Sequence, residues 1–105
     1  MDFDSYQMWT RSTAIYPNDQ ALTYTALGLA SEAGEVAGKV KKIIRDGDSV
    51  ELREAVEAEL GDVLYYLARV ADELDVDLGW IAVTNQQKLN SRKERGVIGG
   101  SGDNR

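Results

Sequence analysis

The sequence of 105 residues contains neither cysteine nor histidine. Without cysteine, the chain cannot form disulfides, thiolate zinc sites or a cysteine nucleophile. Without histidine, it lacks the commonest general base, the Ser-His-Asp triad and every histidine-dependent metal site, including the Glu-x-x-His sites of di-iron helical bundles. Any chemistry must therefore come from carboxylates, lysine, arginine, tyrosine or hydroxyl groups.

A basic surface and a long apolar run are also missing. Twelve Lys and Arg against 18 Asp and Glu give a formal net charge of −6, which argues against a general nucleic-acid or membrane-surface binder. No apolar run approaches the length of a transmembrane helix, and the residues from Met1 to Asp4 do not resemble a signal peptide. We therefore expect a cytoplasmic protein that binds neither nucleic acid nor a membrane.

Proline occurs once, at Pro17, where it separates the first two of four predicted helices. In approximate numbers these helices span 3–15, 18–45, 49–74 and 78–95, with Asp48 as the N-cap of the third. Apolar residues follow steps of three and four along the two long helices. We predict an all-α fold, in which a long antiparallel helical hairpin and two shorter helices form a four-helix-bundle-like core that oligomerisation completes. Residues 1–95 form the single domain, and 96–105 form a glycine-rich tail.

Two acidic pairs with i,i+3 spacing lie in the two long helices. They read E-A-G-E, with Glu32 and Glu35, and E-L-G-D, with Glu59 and Asp62. The members of each pair project from one helix face. If the hairpin turns at Gly47, positions whose numbers add up to about 94 lie opposite one another, so the four carboxylates meet at one level. Each acid immediately precedes a seam residue, which places all four on one flank of the hairpin.

A group of four carboxylates repels itself unless a multivalent cation or protonation relieves the repulsion. Oxygen ligands alone favour Mg²⁺, with Mn²⁺ as the alternative, over zinc or copper. Gly34 and Gly61 inside the motifs indicate either room for a ligand or a close crossing of the two helices. A single acidic pair is usually plain surface charge, but the shared register predicts a magnesium site.

A basic stripe complements these acids near the end of the fourth helix. Asn85, Lys88, Arg92 and Arg95 lie on one helix face, and beside a metal site they suit a clamp for phosphates. The alternative is that they only complement the helix dipole. The glycine-rich tail could fold over phosphates with its backbone N–H groups, as a lid. Tyr66 lies one turn after Asp62 and could reach the substrate, or could simply pack between helices.

Together these motifs resemble those of the all-α nucleoside triphosphate pyrophosphohydrolase superfamily, in particular the short MazG-like proteins. The resemblance rests on E-x-x-E followed by E-x-x-D, on the surrounding L-G-L-A-S-E-A-G-E-V and E-L-G-D-V-L-Y-Y-L, and on the C-terminal N-x-x-K-L-x-x-R-x-x-R-G. The Tyr6-Gln7 pair and the closing G-S-G-D-N-R also fit, so the resemblance covers nearly the whole chain.

This resemblance implies Mg²⁺-dependent hydrolysis of a (deoxy)nucleoside triphosphate between the α- and β-phosphates, in nucleotide-pool control or house-cleaning, by a homodimer or a dimer of dimers. It implies roles for most of the residues singled out above. The four acids would hold Mg²⁺, and Glu32 or Glu35 would accept the proton of the attacking water. The phosphates would be neutralised by Lys88, Arg92 and Arg95, and the substrate would be positioned with help from Tyr66 and Asn85. The weak candidates for base recognition are Gln7, Trp9 and Trp80. Both tryptophans suit anchors of the core better than surfaces for base stacking.

Two other interpretations remain open at the level of the sequence. One is a non-catalytic helical module that interacts with or regulates a basic partner through its acids. The other keeps the pyrophosphohydrolase but changes its substrate to another pyrophosphate-linked metabolite, such as an alarmone or a phosphoribosyl nucleotide. The acids and the helical pattern do not identify the base or the sugar.

Overall fold

The computed structural model describes all 105 residues as four α-helices joined by short turns, with no β-strand. The helices are α1 Phe3–Thr10, α2 Ala21–Asp46, α3 Val50–Glu73 and α4 Leu78–Glu94. The all-α prediction with four helices is confirmed. The chain forms 3₁₀ turns at Arg11–Thr13 and Asn18–Gln20, so α1 is shorter and α2 begins later than the sequence predicts. No helix is long and apolar enough to cross a membrane.

The hairpin between α2 and α3 is closed by a glycine and a serine cap. Gly47 has a φ of 94°, which glycine adopts without the strain that a side chain would cause. The Ser49 hydroxyl accepts a hydrogen bond of 3.1 Å from the amide of Leu52 and so caps α3. The prediction that Asp48 caps α3 is wrong, because the extended N-cap residue is Ser49. The Asp48 carboxylate instead pairs with Arg53 at 2.7 Å.

The first turn of α4 is capped from another helix. Asp77 occupies the N-cap position but its side chain makes no capping hydrogen bond. Instead, Oε1 of Gln7 accepts from the amide of Leu78 at 2.7 Å, and Oδ1 of Asp4 accepts from the amide of Gly79 at 2.9 Å. These bonds satisfy amides that have no partner inside their own helix. Side chains of α1 therefore fix where α4 begins.

A buried arginine joins α3 to the segment between α1 and α2. The side chain of Arg69 is 4% exposed and donates to Asp72 at 2.9 Å and to Glu73 at 3.1 Å. It also donates to the Tyr16 hydroxyl, which in turn donates to Glu73 at 2.6 Å. Arg11 completes the group through a 2.8 Å bond to Asp72. Arg11 and then Arg69 hold the pKa of the Asp72 carboxyl below its usual value, because both cations favour its charged form.

The apolar core is small for a chain of this length. Only four hydrophobic residues are buried, namely Ala21, Ala68, Ala71 and Leu78. Three of them, Ala68, Ala71 and Leu78, belong to α3 and α4, which pack with α1, whereas Ala21 begins α2, which packs chiefly on α3. Seam residues of the hairpin remain open, with Val40 42% and Leu60 52% exposed. A single chain therefore supplies the hairpin and two shorter helices, but it does not close a four-helix bundle around the seam.

Candidate metal centre

Three of the four predicted acids meet on one flank of the hairpin. Carboxylate oxygens of Glu32, Glu59 and Asp62 lie within 4.8 Å of one another, with the two glutamates half-buried and Asp62 exposed. The α2 and α3 motifs therefore face each other, as the register predicts. The fourth acid, Glu35, is exposed and lies outside this group. It sits about 4.5 Å further along α2 than Glu32, toward the hairpin turn.

The electrostatics of this acidic cluster, defined as Glu32, Glu59 and Asp62, fit a divalent cation. Burial raises the pKa of Glu32, and the neighbouring Asp62, Glu59 and finally Glu35 raise it further. None of the ion pairs in the protein involves a member of the cluster. Oxygen ligands that carry unneutralised negative charge are the donors that Mg²⁺ prefers, so the residues present suit that ion.

Tyrosine side chains lie beside the acidic cluster. Tyr66 lines a pocket together with Glu32 and with Tyr24 from α2. In α1, burial raises the pKa of Tyr6, and the charges of Tyr65 and Asp62 raise it further. The sequence motifs point to Tyr66 but not to Tyr24. A sequence signal for it exists, because Tyr24, Gly28 and Glu32 follow one another at steps of four along α2, a row of neighbouring positions on the helix surface.

The glycines inside the acidic motifs do not mark a close crossing of helices. A Cβ atom added at Gly34 or Gly61 would meet no other atom within 4 Å. The close approach lies at Gly28, one turn before Glu32 on α2, where an added Cβ would come within 2.5 Å of the Tyr66 ring. The crossing interpretation is therefore wrong for the motif glycines, and open space lies beside both acidic pairs.

The C-terminal tail occupies two members of the predicted basic stripe. Arg92 is buried and donates to the main-chain oxygen of Asp103 at 2.9 Å, and Arg95 donates to that of Arg105 at 2.8 Å. The Arg105 guanidinium donates in turn to three main-chain oxygens, the closest at 2.6 Å. Lys88 remains exposed. The tail is thus folded onto the end of α4, where it touches the groups predicted to bind phosphates.

The fourth residue of the basic stripe, Asn85, lies beside an apolar cavity and not beside the acidic cluster. Asn85 lines an apolar cavity of about 190 Å³ between α3 and α4, together with residues such as Leu67 and Ile81. No stripe residue forms an ion pair with the acidic cluster, and α4 packs on α1 and α3. Within one chain, the acidic cluster and the basic stripe are therefore not joined by direct contacts.

The three weak candidates for base recognition occupy unlike positions. The Gln7 amide is buried and fully used, because it donates to the Val76 oxygen at 2.9 Å and accepts from the Leu78 amide at 2.7 Å. It holds α1 against the turn between α3 and α4 and has no free group for a base. Trp9 and Trp80 are 52% and 59% exposed, so neither anchors the core, and neither lines the pocket beside Glu32.

Comparisons with known proteins identify the family of this chain. The profile of the MazG nucleotide pyrophosphohydrolase domain matches residues 20–97. A Gene 37 protein of Mycobacterium phage L5 is 51% identical over an alignment of 114 positions that covers all of both chains. An aspartate–tRNA(Asp/Asn) ligase of Bifidobacterium longum (strain DJO10A) is 35% identical over 81 residues, which cover 77% of this chain but 12% of the ligase. No solved structure is significantly similar. The chain belongs to the MazG nucleotide pyrophosphohydrolase domain family.

Proposed function

We propose that this protein is a Mg²⁺-dependent enzyme that hydrolyses (deoxy)nucleoside triphosphates between the α- and β-phosphates, releasing a monophosphate and pyrophosphate. Membership of the MazG domain family supports a nucleotide pyrophosphohydrolase. The observation that carries the metal dependence is the acidic cluster, whose carboxylate oxygens lie within 4.8 Å of one another with no cationic side chain paired to them. A role in nucleotide-pool control follows from that reaction.

The proposed roles of the acids differ between the cluster and its neighbour. Glu32, Glu59 and Asp62 hold the cation, which when bound supplies positive charge to the phosphates and acidifies water. Glu35 is the better general base, because it lies outside the ligand group, is exposed, and is still close enough for its charge to raise the pKa of Glu32. It accepts a proton from the attacking water, which a carboxylate can do without histidine.

The proposed phosphate contacts come from Lys88, Arg92 and Arg95. The two arginines bind main-chain oxygens of the tail, and phosphate oxygens are the stronger acceptors for a guanidinium because the hydrogen bond is then charge-assisted on both sides. We propose that the tail exchanges these contacts with the substrate and then lies over its phosphates. Tyr66 and Asn85 assist positioning.

We also propose that the enzyme works as a homodimer or a dimer of dimers. The chain exposes 7474 Å², whereas a compact monomer of 11.6 kDa exposes roughly 5,800 Å² by the usual scaling with mass. The excess of roughly 1,600 Å² per chain corresponds to an obligate interface. The radius of gyration, 16.6 Å, also exceeds the value of about 13 Å for a compact chain of this length. A second copy would cover the open seam and bring a basic stripe to each acidic cluster.

The test separates the metal ligands from the general base with two isosteric substitutions. We expect Asp62→Asn to abolish both pyrophosphate release and the rise in melting temperature on adding Mg²⁺. Glu35→Gln removes only the proton acceptor, so we expect it to lower kcat by a factor on the order of 10² to 10⁴ while Mg²⁺ still stabilises the protein. Glu54→Gln, at an exposed α3 position outside the cluster, is the matched control.

The substrate panel contains the common ribo- and deoxyribonucleoside triphosphates and a guanosine alarmone. Full turnover by both Asp62→Asn and Glu35→Gln would contradict the proposed site. Turnover of the alarmone alone would keep the site and change the substrate. Mg²⁺ binding by the wild-type protein without turnover of any panel member would favour the non-catalytic interaction module.

A further inference from the structure

An open pocket of about 320 Å³ lies directly beside the acidic cluster, on the same flank of the hairpin. Its lining comes from α2 and α3 and consists of Tyr24, Leu27, Gly28, Ser31, Glu32 and Tyr66. We propose that this pocket binds the nucleobase of the substrate, with the ring of Tyr24 as its stacking surface. This inference rests on the proposed function, since it places the base of the same triphosphate whose phosphates approach Glu32.

Tyr24 is held in place by a chain of contacts that ends in the buried arginine. Its ring stacks on the ring of Tyr16, with centroids 5.2 Å apart and planes inclined by 20°. The Tyr16 hydroxyl is fixed by Glu73 at 2.6 Å and by Arg69 at 2.8 Å. Tyr24 nevertheless stays 46% exposed. An aromatic ring that is backed by another ring loses little further freedom when a ligand stacks on it, which favours binding.

Gly28 lets the second aromatic wall approach α2. A Cβ at this position would lie 2.5 to 2.8 Å from three atoms of the Tyr66 ring, so any larger residue would push the ring aside. Burial, and then the neighbouring Tyr24, raise the pKa of the Tyr66 phenol. Like any tyrosine hydroxyl, it is protonated at neutral pH and can donate a hydrogen bond to a base. The close approach of the Tyr66 ring to α2 therefore requires glycine at position 28.

The chemistry of the lining suits a base better than a phosphate. No cationic side chain lines the pocket, and its only charged group is Glu32. The polar groups are otherwise the hydroxyls of Tyr24, Ser31 and Tyr66, which can donate or accept. Stacking on an aromatic ring is available to every base, because each has a π-face. A base seated here would leave the phosphates of the same nucleotide next to the acidic cluster.

The first experiment measures binding without turnover. Wild-type protein and variants are titrated, with Mg²⁺, against each of the four 2′-deoxynucleoside 5′-monophosphates and against inorganic pyrophosphate. We expect Tyr24→Ala to weaken the best-bound monophosphate about tenfold, as the loss of one stacking contact predicts, and to leave pyrophosphate affinity unchanged. Tyr24→Phe keeps the ring and should retain most of the affinity. Leu22→Ala, at a position of similar exposure, 47%, outside the pocket, is the control.

The second experiment tests Gly28 with a matched glycine. We expect Gly28→Ala to displace the Tyr66 ring and weaken monophosphate binding several-fold. Gly38→Ala places a methyl group on the same helix with no neighbour within 4 Å, so its binding should match that of the wild-type protein. Far-UV circular dichroism confirms that each variant is folded.

Three results would overturn the inference: no monophosphate binding by the wild-type protein, unchanged binding in Tyr24→Ala, or an equal loss of monophosphate and pyrophosphate affinity in that variant. Loss of monophosphate affinity in Trp80→Ala with Tyr24→Ala unaffected would likewise overturn it, because the base would then bind on α4. Failure of the proposed function gives a different result. In that case no triphosphate releases pyrophosphate, whereas the monophosphate titrations still report on the pocket.

Discussion

Replacing Asp72 by asparagine tests whether the buried network holds the N-terminal segment on α3. The substitution keeps the shape of the side chain and removes its charge. The Asp72 carboxylate is 14% exposed and accepts from Arg69 at 2.9 Å and from Arg11 at 2.8 Å. Arg69, at 4% exposure, would keep only Glu73 as an anionic partner. The variant therefore leaves a buried guanidinium partly uncompensated.

The expected cost follows from the exposure of the two arginines. Removing one partner of a buried ion pair costs about 3 to 5 kcal/mol. The pair with Arg11 contributes little, because that side chain is 59% exposed and water screens the charge. Glu73 still compensates Arg69 in part, so we expect Asp72→Asn to lower the free energy of unfolding by about 3 kcal/mol. For a domain of this length, that loss lowers the melting temperature by roughly 12 to 24 °C.

The pH dependence of Asp72→Asn has a defined sign. The folded-state pKa of Asp72 lies below its ordinary value of 3.8, so its contribution to stability is complete above about pH 4. It is lost as the pH falls below 3.8 through the lowered folded-state value. The difference between wild type and variant should therefore be constant around neutral pH and should narrow near pH 3.

Urea denaturation followed by far-UV circular dichroism at pH 7 and pH 3 measures both effects. The protein concentration is held fixed, because association with a second copy would add to the stability. Asp19→Asn, at an exposed position whose carboxylate takes part in no ion pair, serves as the control. A loss below about 0.5 kcal/mol in Asp72→Asn, the range of ordinary surface substitutions, would refute the assigned role of the network, and so would a difference that persists unchanged at pH 3.

Two further predictions concern the acidic cluster and the tail. The folded-state pKa of Glu32 is raised above 4.5, so its charged form destabilises the fold, and this cost appears as the pH rises from 4.5 through the raised folded-state value. Glu32→Gln should therefore raise the melting temperature at pH 7 without Mg²⁺ and remove the further rise on adding Mg²⁺. Differential scanning fluorimetry measures both effects. The Arg105 side chain donates to the main-chain oxygens of Val97, Ile98 and Gly102. Arg105→Ala should therefore loosen the tail and speed hydrogen exchange of the Gly100 amide, whereas the control Lys93→Ala should not. Equal exchange rates in the two variants would contradict these contacts.

Local patterns in the sequence predict most of the fold and part of the site. Helix periodicity gives the four helices, and Gly47 and Gly96 give helix ends at which the backbone has φ values of 94° and 70°. The same periodicity gives the register that brings Glu32 to Glu59 and Asp62. These features could be predicted because each depends on residues that are close in the chain or related by the geometry of a single hairpin.

Features that depend on distant residues could not be predicted in this way. The cap of α4 by Gln7 joins residues 71 positions apart, and helical periodicity carries no information about which distant side chain reaches a helix end. The contacts of Arg92 with the tail likewise depend on how the glycine-rich segment turns back. The three-dimensional position of Glu35 also escapes the pattern, because identical i,i+3 spacing on α2 and α3 does not place all four carboxylates equally close.

One face of α3 links the acidic cluster to the buried network. At steps of three and four, this face carries Glu59, Asp62, Tyr66, Arg69 and Glu73. The two acids belong to the cluster, the tyrosine lies against Gly28, and the last two residues fix Tyr16.

Because Tyr16 backs Tyr24, the network supports the proposed base pocket without touching the cluster. A substitution of Arg69 that loosens this buried network should therefore weaken binding of a nucleoside monophosphate and leave binding of inorganic pyrophosphate unchanged. A substitution at Asp62, which belongs to the cluster but does not line the pocket, should weaken binding of pyrophosphate and retain binding of the monophosphate. If both predictions hold, stability of the N-terminal segment and the proposed recognition of the base depend on the same buried arginine.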